Sequence, residues 1–166
     1  MQNMLHVASQ LTRNTLKELM AFNRYAKYWL PVICWMCVIF WMSTGTFSAE
    51  NTSLIIKPVL LFLIPSISSQ TLDMVHGLIR KSAHVTEYFI LGLLLLRAFR
   101  GGSRESRALR WSFFSVLIVL FYAASDEFHQ SFVSTRTASL IDVGIDTVGG
   151  ILAQAVSVLW HHLSRK

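Results

Sequence analysis

Apolar residues run almost without interruption over 28–44 and 83–99, and again with few polar breaks over 111–131 and 139–160. A soluble core has no need of runs this long, whereas a helix needs about 20 residues at 1.5 Å each to cross a hydrocarbon layer. The pattern predicts an all-α fold, an integral membrane bundle of four transmembrane helices near 28–45, 82–99, 111–131 and 139–160. A shorter apolar piece, 54–64, carries Lys57 and Pro58 and suits a short re-entrant or interfacial segment better than a fifth crossing. Ahead of the first span, Leu5, Ala8, Leu11, Thr15, Leu19 and Phe22 recur at roughly helical spacing with basic residues opposite. That spacing fits an amphipathic helix on the inner leaflet and is equally compatible with a poorly ordered tail. The domain plan is a cytoplasmic amphipathic segment over 1–27 followed by a transmembrane domain over 28–166.

Composition agrees: of 166 residues, 53% are hydrophobic and 14% charged, and the mean hydropathy is +0.48. These values exclude disordered, collagenous and coiled-coil classes. The net charge of +6 does not point to nucleic acid, because the basic residues flank apolar runs instead of forming a stripe with interleaved aromatics. They read as topology signals. Arg13, Lys17, Arg24 and Lys27 precede the first span, Arg97, Arg100, Arg104, Arg107 and Arg110 sit at the second connection, and Arg165 and Lys166 close the chain. Only Lys57, Arg80, Lys81 and Arg136 fall on the other side, so the positive-inside rule puts both termini in the cytoplasm. The first span is expected to remain as a signal anchor, since Phe47-Ser48-Ala49 lacks the small-x-small cleavage pattern. Cys34 and Cys37 lie inside that apolar helix with no second ligand pair, which gives a redox or zinc role little support.

Ionisable groups within membrane helices are costly and so mark candidate sites. In the second span Lys81, His84, Tyr88 and Gly92 recur at three- or four-residue spacing on one face, with Glu87 beside them. The third span ends in Asp126, Glu127, His129 and Gln130, where adjacent carboxylates oppose the helix macrodipole and make poor caps. The fourth opens with Asp142 and, one turn deeper, Asp146, followed by a small-residue stripe, Gly149-x-x-x-Ala153, suited to close helix packing. With the orientation above, all these groups meet in the outer part of the bundle. Five carboxylates there face Lys81, Arg136 and two histidines, so one carboxyl group can hold a proton as a general acid, or the cluster can hold a cation. No ligand spacing selects a metal, and whether one binds stays open. Arg136 suits either a bidentate tie to Asp142 or capture of an anionic group. No phosphate-binding glycine loop, nucleophile elbow or catalytic Cys/His pair is visible.

Two stretches carry a resemblance. Lys81-x-x-His84-x-x-x-Tyr88, and Asp126-Glu127-x-x-Gln130-x-Phe132-x-x-x-Arg136 continuing to Asp142-x-x-x-Asp146-x-x-Gly149, are similar to the VanZ-like membrane proteins, named after a teicoplanin-resistance accessory protein. The likeness covers about 80–155. It departs from the family pattern at Ser134-Thr135, where Pro-Gly is common, at Asp146, where Asn is frequent, and at Ala153, which stands for a second glycine. The resemblance implies a multi-pass protein of the bacterial cytoplasmic membrane linked to low-level glycopeptide resistance, without supplying catalytic residues.

Three function classes follow. In the first, an outward-facing pocket recognises or modifies an anionic or lipid-linked cell-envelope group. As an enzyme it would use Asp126 and Glu127 as general base and acid, and His84 as proton relay or ligand. Lys81 and Arg136 would hold anionic oxygens, with Glu87, Tyr88, Gln130, Asp142 and Asp146 completing the pocket. The expected partners are membrane lipids and a lipid-linked cell-wall precursor or lipoglycopeptide. In the second class the protein only sequesters a lipid or a glycopeptide's acyl tail. In the third the charges fix helix register and a partner enzyme does the chemistry. Transport is disfavoured, because matching polar residues are lacking in the cytoplasmic halves of the spans and internal repeats are not evident.

Overall fold

The computed structural model describes residues 2–101 and 108–164, with side-chain surroundings for residues 10, 13–101 and 109–164. The described chain is helical with short connections: α1 (Gln2–Met42), a 3-10 turn (Gly45–Phe47), α2 (Ala49–Leu63), α3 (Ser69–Arg100), α4 (Ala108–Gln130) and α5 (Leu140–Leu163). Four of these helices, α1, α3, α4 and α5, are long and apolar enough to cross a membrane. Large apolar side chains on their outer faces stay exposed, among them Phe121, Phe128, Ile151, Leu152, Leu159 and Trp160. Such a belt suits lipid as solvent, and helices satisfy their own backbone groups there.

The four expected spans are all present, and two of the helices run beyond them. α1 has 41 residues, about 60 Å at 1.5 Å per residue and roughly twice the hydrocarbon thickness. Its helix passes without a break through the expected junction at 27–28. Leu19 and Phe22 are exposed, while Leu5, Ala8 and Leu11 lie outside the described side chains, as do the basic residues Arg104, Arg107, Arg165 and Lys166. α3 starts at Ser69, well before the apolar run, because Ser68 Oγ caps it by accepting from the Thr71 N–H. It ends at Gly101, whose φ of 53° is the left-handed conformation that suits glycine.

The 54–64 piece is part of a separate helix, α2, of 15 residues, too short to cross a bilayer. Ser48 caps its start. α2 lies along the polar N-terminal part of α3, tied by the Lys57–Asp73 ion pair and by a 3.1 Å contact between Thr52 Oγ1 and His76 Nε2. None of its residues is buried, and Leu54, Ile55, Phe62 and Leu63 are strongly exposed.

The core lies where α1, α3, α4 and α5 meet, around Val32, Ile39, Tyr88, Leu91, Leu95, Val119, Ala123 and Val143. α5 packs tightly on α3 and α4 because glycine permits it. A methyl group added at Gly149 would sit 2.4 Å from the Val85 carbonyl oxygen, and one at Gly150 would sit 2.7 Å from the Val119 side chain. The small-residue stripe is therefore a packing seam, as its spacing suggests. Its placement matters for function, since Gly149 is one turn from Asp146 and Val85 adjoins His84.

Candidate functional site

The end of α1, the end of α4 and the start of α5 converge beside the middle of α3, and polar side chains gather there. Ser43, just past α1, donates to Asp126 Oδ2 at 2.6 Å. Gln130 Nε2 donates to the same oxygen at 3.1 Å, and the Tyr88 hydroxyl does so at 3.3 Å. Asp126 and Tyr88 are buried, and neither is among the residues lining a cavity of about 230 Å³ that opens nearby. Asp126 thus ties α1, α3 and α4 together through one oxygen.

Glu127 has a different task. Its Oε2 accepts the Ser139 N–H at 2.8 Å, so a carboxylate of α4 holds the residue that caps α5. The connection between these helices carries Arg136, which donates from Nη2 to the Met42 carbonyl at 2.7 Å and to the Thr44 carbonyl at 3.1 Å. A tie from Arg136 to Asp142 is not formed. Asp142 instead meets Lys81 Nζ at 3.3 Å, and Arg136 binds the end of α1, whose last carbonyls lack helical partners. Burial, then the like charge of Arg80, push the Arg136 pKa below its ordinary value, while Asp126, Glu87 and Glu127 push it back up. A guanidinium stays protonated throughout the working range, so Arg136 remains cationic.

The 230 Å³ cavity is lined by Arg80, His84, Glu127, Gln130, Arg136 and Asp142, among others. A narrower groove of about 110 Å³ lies between α2 and α3. Its walls are Met42, Phe47, Ile56, Ile79 and Ala83, with Glu87 at one side. Arg80, His84 and Arg136 border both the groove and the cavity. Lys81, His84, Asp142 and Asp146 line a further 110 Å³ recess. Asp146 is fully buried with His84 Nδ1 3.4 Å from its Oδ1, and neither carboxylate oxygen has a hydrogen-bond donor among the described residues. Glu87 is nearly buried, and its carbonyl accepts the Trp35 indole N–H at 2.9 Å, fixing α1 against α3.

The structure brings most of the sequence-marked residues to this end but divides them. Lys81, His84, Glu127, Gln130, Arg136, Asp142 and Asp146 line the polar spaces, Glu87 the groove, while Asp126 and Tyr88 are internal. The His129 ring lies tilted against Phe40 with ring centres 4.4 Å apart. Sequence reasoning assigned no site role to Arg80 or Ser43. Arg80 stood out only as a topology charge, although its spacing to His84 and Glu87, four and seven residues on, places it on their face. Ser43 carried no signal before α1 was seen to end beside Asp126.

Among the described residues, no three His, Cys, Asp or Glu side chains are grouped to hold a metal ion. Cys34 and Cys37 are free and exposed on α1. At the opposite end of the bundle a larger cavity, about 580 Å³, is lined by Arg24, Tyr25, Tyr28, Trp29, Phe99 and Arg100, among others. It shares no residue with the constellation.

Four crossing-length helices with a lipid-suited exterior, and ionisable groups gathered at one end, define a multi-pass helical membrane protein with a polar site. The sequence pattern of the VanZ/LLP1 family matches residues 28–161, and the chain belongs to that family. Neither a curated protein nor a solved structure matches it.

Proposed function

We propose that this VanZ-family protein binds the anionic head of a lipid-linked cell-envelope compound in an outward-facing pocket of the bacterial cytoplasmic membrane. The observation that carries this reading is the sharing of Arg80, His84 and Arg136 between an apolar groove and a polar cavity. An amphiphile presents an acyl or prenyl chain beside a charged head, and the groove and cavity offer surfaces of those two kinds in contact. Two guanidiniums that repel each other across a cavity are relieved by a doubly charged oxyanion between them. The count of basic residues on either side of the spans supports the outward orientation. Low-level teicoplanin resistance, the property of the family's namesake, would follow if binding changed how much of the antibiotic's lipid-linked target is exposed.

The test is direct binding in detergent by native mass spectrometry, with a long-chain prenyl monophosphate and the matching prenol as probes. The phosphate is expected to bind and the prenol to bind at least about tenfold more weakly, the difference one charge-assisted contact supplies. Arg80→Gln and Arg136→Gln should each narrow that gap. Equal binding of the two probes by the wild type would refute an anion pocket. In cells, the same substitutions at matched membrane level should remove any teicoplanin protection that the wild type gives.

A further inference from the structure

We infer that His84 and Asp146 form a base and its positioning residue, and that the pocket hydrolyses the phosphate ester of the ligand it binds. This rests on the reading of the pocket as an anion site and adds a reaction to it. Asp126, the natural candidate for the base from sequence, is internal: its Oδ2 receives three donors and it does not border the cavity. Glu127 has one oxygen engaged by the Ser139 N–H. His84 borders the groove, the cavity and the recess alike. Its Nδ1 is buried 3.4 Å from Asp146 Oδ1 without a formed hydrogen bond, while the side chain as a whole keeps 21% exposure, which leaves the Nε2 edge for the cavity.

Asp146 is at 0% exposure with two oxygens that no described donor satisfies. A carboxylate in that position is costly unless it has a cationic or hydrogen-bonding partner. The imidazole 3.4 Å away is the nearest ionisable partner, and its Nδ1–H must turn toward Oδ1 for the hydrogen bond to form. With the Nδ1 proton directed to Asp146, the Nε2 lone pair faces the cavity, the tautomer a general base needs. Gly149 and Val85 hold the two residues in register through backbone contact, so the pair sits on rigid elements.

The reaction balances with water as the only co-reactant. His84 Nε2 takes a proton as water oxygen bonds to phosphorus, the phosphorus–oxygen bond to the lipid breaks, the departing oxygen takes a proton from a water on the far side, and His84 returns its own to solvent. Prenyl phosphate and water give prenol and inorganic phosphate. Arg80 and Arg136 stabilise the negative charge on the non-bridging oxygens.

The experiment measures inorganic phosphate released from a prenyl monophosphate by the purified full chain, with binding of the same probe followed in parallel. Wild type should release phosphate. At saturating probe, His84→Asn should release it at least about a hundredfold more slowly than wild type. Asp146→Asn should lower kcat about tenfold or more with KM nearly unchanged, a split that a merely structural role would not produce. If His84→Asn fails to insert, the Asp146→Asn split decides, since KM rising with kcat intact would overturn the assignment. Wild type that binds the probe without releasing phosphate overturns the hydrolysis, and His84→Asn that releases it normally overturns His84 as the base, each while leaving the binding site standing. Wild type that fails to bind the phosphate overturns the pocket reading and the hydrolysis with it.

Discussion

Asp126 and Arg80 show how ionisable residues divide into scaffold and site. Asp126 Oδ2 accepts from Ser43, Gln130 and Tyr88 inside the bundle, and hydrogen bonds to a charged acceptor are worth about 1.5–3 kcal/mol each, without full additivity. Asp126→Ala is therefore expected to destabilise the protein by about 3 kcal/mol, read as a lowered unfolding midpoint in detergent. Arg80 stands between the like charge of Arg136 and the opposite charge of Asp142, so the two offset and Arg80→Gln should change stability by no more than about 0.5 kcal/mol while weakening the binding of an anionic probe. The opposite pattern, a stable Asp126→Ala protein and an unfolded Arg80→Gln one, would exchange their roles.

At the scale of elements, the contact between α3 and α5 decides whether His84 and Asp146 meet at all. A methyl at Gly149 would meet backbone at 2.4 Å, where no rotamer change gives relief. Gly149→Ala should cost about 1–3 kcal/mol through overpacking, and the displaced helix should also lower phosphate release. Gly144, on the same helix, has nothing within 4 Å of an added methyl, so Gly144→Ala should be neutral or stabilise by up to about 1 kcal/mol through helix propensity. Thermal melts of the two variants side by side check the pair; equal melts would mean that the seam is slack. α2 is the element with the least packing, held to α3 by the Lys57–Asp73 pair and the Thr52–His76 contact. It forms one wall of the apolar groove through Thr52 and Ile56.

For the whole molecule, the outward placement of the site is a statement about orientation that labelling can check. With Cys34→Ala and Cys37→Ala as background, a cysteine at Ser134, exposed in the connection between α4 and α5, should react with a membrane-impermeant maleimide in intact cells. A cysteine at Lys17 on the exposed N-terminal part of α1 should react only after permeabilisation. Reversed labelling would put the polar site in the cytoplasm and end its reading as an envelope pocket.

The spans were legible in the chain because hydropathy is local. Each residue contributes its own transfer free energy, and runs of about 20 apolar residues add up to a crossing wherever they pack. The polar start of α3 was less legible, since an aqueous-facing helix carries no long apolar run; its Ser68 cap becomes plain only in the folded chain. The residue types of the site could also be read from sequence, because an ionisable group in a membrane helix stands out by its cost. Their partners could not. Helical spacing places Lys81, His84 and Tyr88 near one face, yet Tyr88 turns inward to Asp126, Lys81 reaches Asp142, and Arg136 finds α1 carbonyls 92 and 94 residues away. Those choices depend on how far each helix is rotated and how closely it approaches its neighbour, which is set by glycines such as Gly149. The sequence by itself determined which four helices are long and apolar enough to cross and which charges they carry. Only the tertiary structure decided which charges face the cavity and which hold the bundle together, because pairing is a property of helix faces in contact.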